Sequence, residues 1–353
     1  MSLSELLFFT VFIVVILSLL IMDLGLFHKK SHILPFKEAL LWTIIWVSFG
    51  IAFYFFLMFY GNVIHGIHSI SDIQASIDKY EHTITINPSN LSESLSIYNH
   101  NLALEYITGY LIEYSLSIDN IFVMIMIFIA FGVNQKYYHD VLFWGIIGAI
   151  IMRFLFIFTA SALIQNFAWV LYVFGGFLIF TGIKMFLTRN KEEKIDTGKH
   201  PIVKFAAKHF AVFPRYIGKR FFIRRKGKRL LTPLFIVLLV IEFTDVIFAV
   251  DSVPAIFSIT KDPFVVFFSN IFAIIGLRSL FFLLINVMNV FHYLKVGLAV
   301  LLSFIGLKMI FHHWLKEINF TTAHSLYIII GILAVSIIAS LLFPIKEEGK
   351  PTI

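Results

Sequence analysis

Cysteine is absent from the 353-residue chain, and charged residues are scarce at 14% of the total. Without cysteine, the chain has no disulfide, no thiolate metal site and no cysteine nucleophile. A soluble domain carries about 25% charged residues, whereas 59% of this chain is hydrophobic. The composition therefore indicates an integral membrane protein.

Long apolar runs are what the sequence contains instead. A helix needs about 20 consecutive apolar residues to cross a bilayer core. Runs of suitable length cover residues 6–27, 39–60, 102–131, 141–164, 167–187, 230–257, 264–288, 291–312 and 324–344. They are too long and too continuous for the strands of a membrane barrel. We predict an all-α polytopic membrane protein with about nine transmembrane helices.

The intervals between these runs divide the chain into six segments. They are 1–60 with two peripheral transmembrane helices, the extracytoplasmic loop 61–101, a first three-helix group at 102–187, the basic loop 188–229, a second three-helix group at 230–312, and the last helix with a tail at 313–353.

The basic loop sets the predicted orientation. It holds 14 Lys and Arg residues against three acids, and cytoplasmic loops are enriched in Lys and Arg. This places the N-terminus outside the cytoplasm and the C-terminus inside it. The loop also accounts for the net charge of +7, so we expect the lipid bilayer and no nucleic acid as partner. We predict a bacterial inner membrane, and an amphipathic surface helix over 200–225.

An internal repeat relates the two three-helix groups. Residues 117–123 parallel residues 243–249, and three charged markers keep nearly constant spacing. The markers are Asp119 and Asp245 at an offset of 126, Arg153 and Arg278 at 125, and Lys184 and Lys308 at 124. Because each copy has three spans, the second copy must enter the membrane from the opposite side. Inverted repeats in secondary transporters place the substrate site near the midplane.

Two of the predicted spans carry acidic and amide side chains at membrane depth. The third span holds Glu113, Asp119 and Asn120, and the sixth holds Glu242, Asp245 and Asp251. Each ionised group costs about 2.5–3.5 kcal/mol at a bilayer centre. Arg153 and Arg278 are the charge-pairing partners at depth, so five acids minus two arginines leaves three negative charges. Protons or a bound cation must balance these three charges.

The predicted metal site consists of Glu113, Asp119, Asn120, Glu242, Asp245 and Asp251. Carboxylate and amide oxygens suit Mg²⁺, Mn²⁺ or Ca²⁺. Pro254 removes one helical hydrogen bond, and we expect the chain to unwind near 249–254, which would let Asp251 reach the site. The metal would be a transported substrate, and we predict no resident cofactor.

Two segments resemble the signature motifs of a known family. They are EYSLSIDN at residues 113–120 and EFTDVIFAVDSVPAI at residues 242–256, which look like the motifs of the TerC family within the wider LysE-type transporter group. The resemblance implies manganese efflux and, through the family's historical name, tellurium resistance. It assigns cation handling to the same acids, with Asn120 beside them.

The leading hypothesis is an exporter of divalent cations, most readily Mn²⁺, that works by alternating access with proton exchange and is not an enzyme. Ca²⁺ export is the nearest alternative, followed by amino-acid export. A membrane scaffold in a tellurium-resistance or stress complex stays open, as does a homo-oligomer or an assembly with membrane partner proteins. An intramembrane aspartyl protease with Asp119 and Asp245 as its dyad is disfavoured, because the sequence has no Gly-x-Gly-Asp pattern.

Overall fold

The structure is a computed structural model that describes residues 3–27, 35–167, 169–188, 201–225, 228–285, 293–318 and 320–343. Its helices are α1 (Leu3–Phe27), α2 (Phe36–Tyr60), α3 (Ile70–Tyr80), α4 (Leu91–Ala130), α5 (Tyr138–Asn166), α6 (Trp169–Thr188), α7 (Pro201–His209), α8 (Pro233–Phe257), α9 (Pro263–Ile275), α10 (Leu277–Leu284), α11 (Leu294–Ile310), α12 (His312–Glu317) and α13 (Thr322–Leu342). Two short strands, β1 (Phe222–Arg225) and β2 (Lys228–Leu231), and two single-turn 3-10 helices, Gly61–Val63 and Gln135–Tyr137, complete the described elements.

Seven of the described helices are long and apolar enough to cross a membrane. The pair α9 and α10 meets that test jointly, with a bend of 43° between its two halves, and makes an eighth candidate. Helix α11 has 17 residues, and positions 286–292, in and before the predicted span 291–312, lie outside the described residues. The all-α polytopic class is therefore confirmed, and the count of nine spans stays a prediction.

Residues 61–101 contain more regular structure than the predicted loop. Helix α3 begins with a capping box between Ser69 and Asp72, and Asn90 caps α4 by accepting a hydrogen bond from Glu93 N at 3.2 Å. Helix α4 therefore starts 11 residues before the predicted span. Capping side chains satisfy amide groups that would otherwise lack partners at a helix start. We call residues 61–90 the cap.

The basic segment differs from its predicted helix. Among the residues of this segment that the structure describes beyond the end of α6, only α7 is helical, and β1 and β2 form an antiparallel hairpin with Phe222 opposite Leu231. Pro214 cannot continue a helix, and Gly218 has a positive φ of 53°, so the predicted helix over 200–225 is wrong beyond His209. Residues 189–200 and 226–227 lie outside the described part of the chain.

The predicted unwinding near 249–254 is also wrong. Helix α8 continues through Pro254 to Phe257. Because Pro254 lies in the last turn, its missing N–H removes one hydrogen bond shortly before the helix ends anyway. The broken helix is the neighbouring one: α9 ends at Ile275, and α10 begins beyond Gly276.

The two predicted three-helix groups pack on each other symmetrically. Their contacts stay the same when each helix is replaced by the corresponding helix of the other group. Helix α4 packs on α9 as α5 packs on α8, and α4 also meets α8 while α6 meets α11. Helices α6 and α11 approach each other closely. A Cβ on Gly306 would lie 2.6 Å from the carbonyl oxygen of Gly175, and a Cβ on Gly182 would lie 2.7 Å from the carbonyl oxygen of Ala299. The repeat offset of 124 relates Gly182 to Gly306 and Gly175 to Ala299, so the two contacts are equivalent under the repeat. The inverted orientation of the copies stays a prediction.

The close approach of α6 and α11 predicts a sharp response to one added methyl group. Gly306→Ala should destabilise the fold by about 1–3 kcal/mol, because a backbone carbonyl cannot yield as a side chain can. Gly176→Ala on α6 is the matched control, since no described atom lies within 4 Å of its added Cβ. Thermal unfolding in detergent measures both variants. Equal unfolding temperatures for the two would contradict the packing.

Candidate ion-binding site

A buried arginine lies where four helices meet. Arg153 is on α5, and its side chain is 0% exposed. Around it lie Glu113 of α4, Asp245 of α8 and Asn270 of α9, which are likewise buried. Two of these helices belong to each predicted repeat. The site therefore lies at the interface of the two groups.

Hydrogen bonds connect all four side chains. Arg153 donates from Nη2 to Asp245 Oδ1 at 3.0 Å and from Nε to Oδ2 at 3.3 Å. Its Nη1 donates to Glu113 Oε1 and to Asn270 Oδ1 at 2.9 Å. Asn270 Nδ2 donates in turn to Glu113 Oε2 at 3.1 Å. Every oxygen of both carboxylates thus accepts a hydrogen bond.

The charges of this group do not cancel when both carboxylates are ionised. One guanidinium faces two carboxylates, which leaves one negative charge in the interior of a helical bundle. Buried charge is tolerated where it is paired and hydrogen-bonded, and an unpaired excess is costly. A further cation or a proton at this place would remove the excess.

Two other predicted ligands lie on the same helix as Asp245 but have separate partners. A Cβ on Gly148 of α5 would lie 2.0–2.3 Å from the carboxylate of Glu242, so only glycine allows Glu242 to pack there. Asp251 Oδ1 accepts a hydrogen bond from Thr181 of α6 at 3.1 Å. Both acids are half-buried.

The remaining predicted residues are on α4 and α10. Asp119 is half-buried, whereas Asn120 is buried at 3% exposure. Arg278 of α10 donates from Nη1 to Nε2 of His139 at 2.9 Å. Buried polar atoms without a hydrogen-bond partner among the described residues include Ser117 Oγ, Asn120 Nδ2 and Ser252 Oγ. All three belong to the two helices that carry the acidic motifs.

The structure brings only part of the predicted set together. Glu113 and Asp245 converge on Arg153, while Glu242 and Asp251 lie against α5 and α6. Across the described part of the chain, no group of three His, Asp or Glu side chains is arranged so that it could hold a metal ion. A cavity of about 10 Å³ beside Asp245 is lined by Met124 and Gly145, among others. The six-residue metal site therefore stays a prediction.

Asn270 is the site residue that the sequence reasoning missed. It is the one amide in an otherwise apolar stretch of α9, Pro263–Ile275, with Ser269 beside it. An uncharged amide costs less in a membrane than an acid, so a search for intramembrane charge does not find it. A search for any buried hydrogen-bonding group would have found it.

Apolar helices packed around a buried network of arginine and carboxylates define a polytopic α-helical membrane protein with a charged interior. Residues 98–348 match the integral membrane protein TerC family, and the chain belongs to that family. The predicted resemblance is thereby confirmed.

Relatives cover nearly the whole chain. It is 42% identical to an uncharacterized membrane protein of Myxococcus xanthus, over 97% of this chain and 93% of that protein. It is 39% identical to Alx of Escherichia coli K12, described there as a proposed membrane-bound redox modulator, over 93% of this chain and 92% of Alx. An uncharacterized membrane protein of Rickettsia felis is 40% identical over 94% and 96%. No solved structure matches the chain significantly.

The arginine network predicts a compensation between variants. Arg153→Gln leaves two buried carboxylates without their cation, and breaking a buried ion pair costs about 3–5 kcal/mol. Adding Glu113→Gln removes one of those charges and should recover part of the loss. Thermal unfolding of the single and double variants measures this coupling. Additive losses would show that the two side chains do not act on each other.

Proposed function

We propose that this protein exports divalent metal cations, most readily Mn²⁺, by alternating access in exchange for protons. The observation that carries the proposal is the arrangement at Arg153, where carboxylates from α4 and α8 share one guanidinium and retain a negative charge. A site between two helical groups that can move against each other is what alternating access uses.

Competition with Arg153 would be the central step of transport. A divalent cation placed between Glu113 and Asp245 supplies two positive charges where the guanidinium supplies one. The cation must displace Arg153 from at least part of its hydrogen bonds, and Arg153 can replace the cation after release. The arginine thus keeps the carboxylates neutralised whichever side of the membrane the site faces.

Charge balance sets the expected exchange ratio. Five intramembrane acids and two arginines leave three negative charges, which three protons would neutralise. One divalent cation and one proton would neutralise them equally well. Exchange of one cation for two protons therefore keeps the interior neutral throughout the cycle.

Met124 supports Mn²⁺ over Ca²⁺ as the substrate. Its side chain lines the small cavity beside Asp245, and a thioether is a softer ligand than the oxygens that Ca²⁺ prefers. Ca²⁺ export remains the second candidate, because the carboxylates and the amide of Asn270 accept either ion.

Two other functions have less support. An aspartyl protease needs two carboxylates that share a proton, whereas Asp245 of the predicted dyad pairs with the guanidinium of Arg153. A redox role like that in the name of Alx could not use thiols of this chain, since it has no cysteine. A scaffold role of the basic segment is compatible with transport.

Metal uptake by inside-out vesicles tests the proposal. With a proton gradient that is acidic inside, we expect the vesicles to accumulate Mn²⁺, and to accumulate Ca²⁺ more slowly. Asp245→Asn should lower the Mn²⁺ rate at least about tenfold, because it removes a charged ligand worth roughly 1.5–3 kcal/mol. This variant leaves Arg153 paired with Glu113, so the fold should persist.

Asp78→Asn is the matched control, since Asp78 is an exposed acid on α3 whose Oδ1 accepts a hydrogen bond from Gln74 at 2.9 Å. It should transport like the unmodified protein. Equal Mn²⁺ rates in Asp245→Asn and Asp78→Asn would refute the assignment of the site. Faster Ca²⁺ than Mn²⁺ uptake would reverse the order of the two substrates.

A further inference from the structure

A second buried polar cluster fastens the cap to the ends of two membrane helices. His65 of the cap lies between two carboxylates, with Nδ1 2.9 Å from Glu5 Oε1 of α1 and Nε2 2.8 Å from Asp262 Oδ2. The side chains are 5%, 7% and 0% exposed, in that order. Asp262 also caps α9, where its Oδ1 accepts a hydrogen bond from Phe264 N at 2.9 Å.

With both carboxylates ionised, this geometry requires a protonated histidine. Ionised carboxylates only accept hydrogen bonds, and a neutral imidazole donates from one nitrogen alone. Both contacts of His65 can be hydrogen bonds at once only if each ring nitrogen carries a proton. Burial opposes the charged ring, but Asp262 and Glu5 outweigh it and raise the pKa of His65 to about 9.

A second histidine fastens the cap to α4. His82 Nδ1 lies 2.8 Å from Glu105 Oε1, and Asn101 Nδ2 donates to the same oxygen at 2.7 Å. Burial disfavours the charged ring, but the charge of Glu105 raises the pKa of His82. Glu105 precedes Glu113 by eight residues, about 12 Å along a helix. The same spacing separates Asp262 from Asn270.

A cavity lies beneath the cap. It has a volume of about 50 Å³ and is lined by Tyr80 and Glu81 from the cap and by Glu105 and Lys308 from α4 and α11. Glu105 Oε2 is buried and has no hydrogen-bond partner among the described residues. Lys261, which also lines the cavity, pairs with Glu81 at its edge. The cap thus separates a buried carboxylate from the surroundings of the protein.

We propose that the cap is a proton-operated lid over this cavity, with His65 as the latch that ties it to α1 and α9. Loss of the second ring proton removes one of the two carboxylate contacts and frees the cap to lift and expose Glu105. The lid stands on this geometry alone. Only its use, to admit protons or release cations at the outer mouth, rests on the proposed function.

The direction of the pH response follows from the groups that face the latch. Those groups are Glu5 of α1, Lys79 and Tyr80 of α3, His82 of the cap and Asp262 at the start of α9. The folded-state pKa of His65 exceeds its ordinary value of 6.5. The stabilisation that the protonated latch His65 gives is therefore complete below pH 6.5 and is lost as the pH rises through about 9.

Acid acts on the latch through Asp262, the carboxylate that binds Nε2 of His65. Burial disfavours ionised Asp262, but the charge of His65 outweighs burial and lowers the pKa of this carboxyl. The carboxylate contact therefore persists down to pH values below 3.8. The latch is closed at neutral pH, and alkaline solution opens it.

The absence of cysteine allows single-cysteine reporters in the purified full chain. Ser76 of α3 is 7% exposed, and its hydroxyl lies 2.9 Å from that of Tyr98 on α4, so Ser76→Cys reacts with a maleimide only when the cap lifts. Ala75→Cys is exposed next to it and corrects for the ionisation of the thiol. We expect the ratio of the two labelling rates to rise at least about tenfold from pH 7 to pH 10.

Two histidine variants separate the latch from general loosening. His65→Gln cannot bind both carboxylates as a cation does, so its ratio should be high and independent of pH. His68→Gln changes an exposed histidine of the same cap and should keep the pH-dependent rise. Ile73→Cys, at a position that is 0% exposed, is a second reporter in case Ser76→Cys disturbs α3.

A ratio that stays constant with pH when His65 is present would overturn the lid, as would an unchanged rise in His65→Gln. Labelling needs no transport and is measured in detergent. If labelling follows pH as described and vesicles still move no Mn²⁺, the lid stands and the proposed transport fails.

Discussion

The pairing of Arg153 with Glu113 and Asp245 is the interaction on which the interior of this protein depends. A guanidinium at 0% exposure is stable inside a bundle of apolar helices only if carboxylates lie beside it. Those carboxylates come from α4 and α8, and Asn270 of α9 joins them. One ionic group therefore links four helices, and its residual negative charge is the feature on which the proposed cation site rests.

Helix α9 connects this group to two other polar contacts. Helix α9 presents Asn270 to Arg153 and then bends 43° into α10, which carries Arg278 to His139. At the opposite end of α9, Asp262 binds His65 of the cap. A displacement of α9 would therefore change the contacts of both Arg153 and the cap. This gives a physical link between the proposed lid and the proposed ion site.

Much of this arrangement could be predicted from the sequence. Uninterrupted apolar runs revealed the helices, and the cost of buried charge drew attention to Glu113, Asp245 and Arg153. Which of these side chains pair with one another could not be predicted. Pairing depends on the rotation and depth of each helix, and a helix that is apolar on all sides does not indicate either. Asp251 illustrates this limit: α8 stays helical through Pro254, and the carboxylate binds Thr181 of α6 instead of joining Asp245.

The cap escaped prediction for a related reason. Its residues have the polar composition of a loop, and its order comes from contacts distant in sequence, such as His65 with Asp262. A lone histidine in a polar segment carries no signal of a partner 197 residues away. The repeat offsets, in contrast, pair helices whose packing contacts also match when the two groups are exchanged, and the repeat itself stays a prediction.

Equilibrium binding of Mn²⁺ to the purified protein tests the central claim most directly. The electron paramagnetic resonance signal of aqueous Mn²⁺ disappears on binding, so a titration gives the bound fraction without any transport. The account predicts that Glu113→Gln, which leaves Arg153 paired with Asp245, weakens binding at least about tenfold. Glu93→Gln, on the exposed first turn of the same helix, should bind as the unmodified protein does. Equal affinities of these two variants would contradict a cation site at the buried arginine.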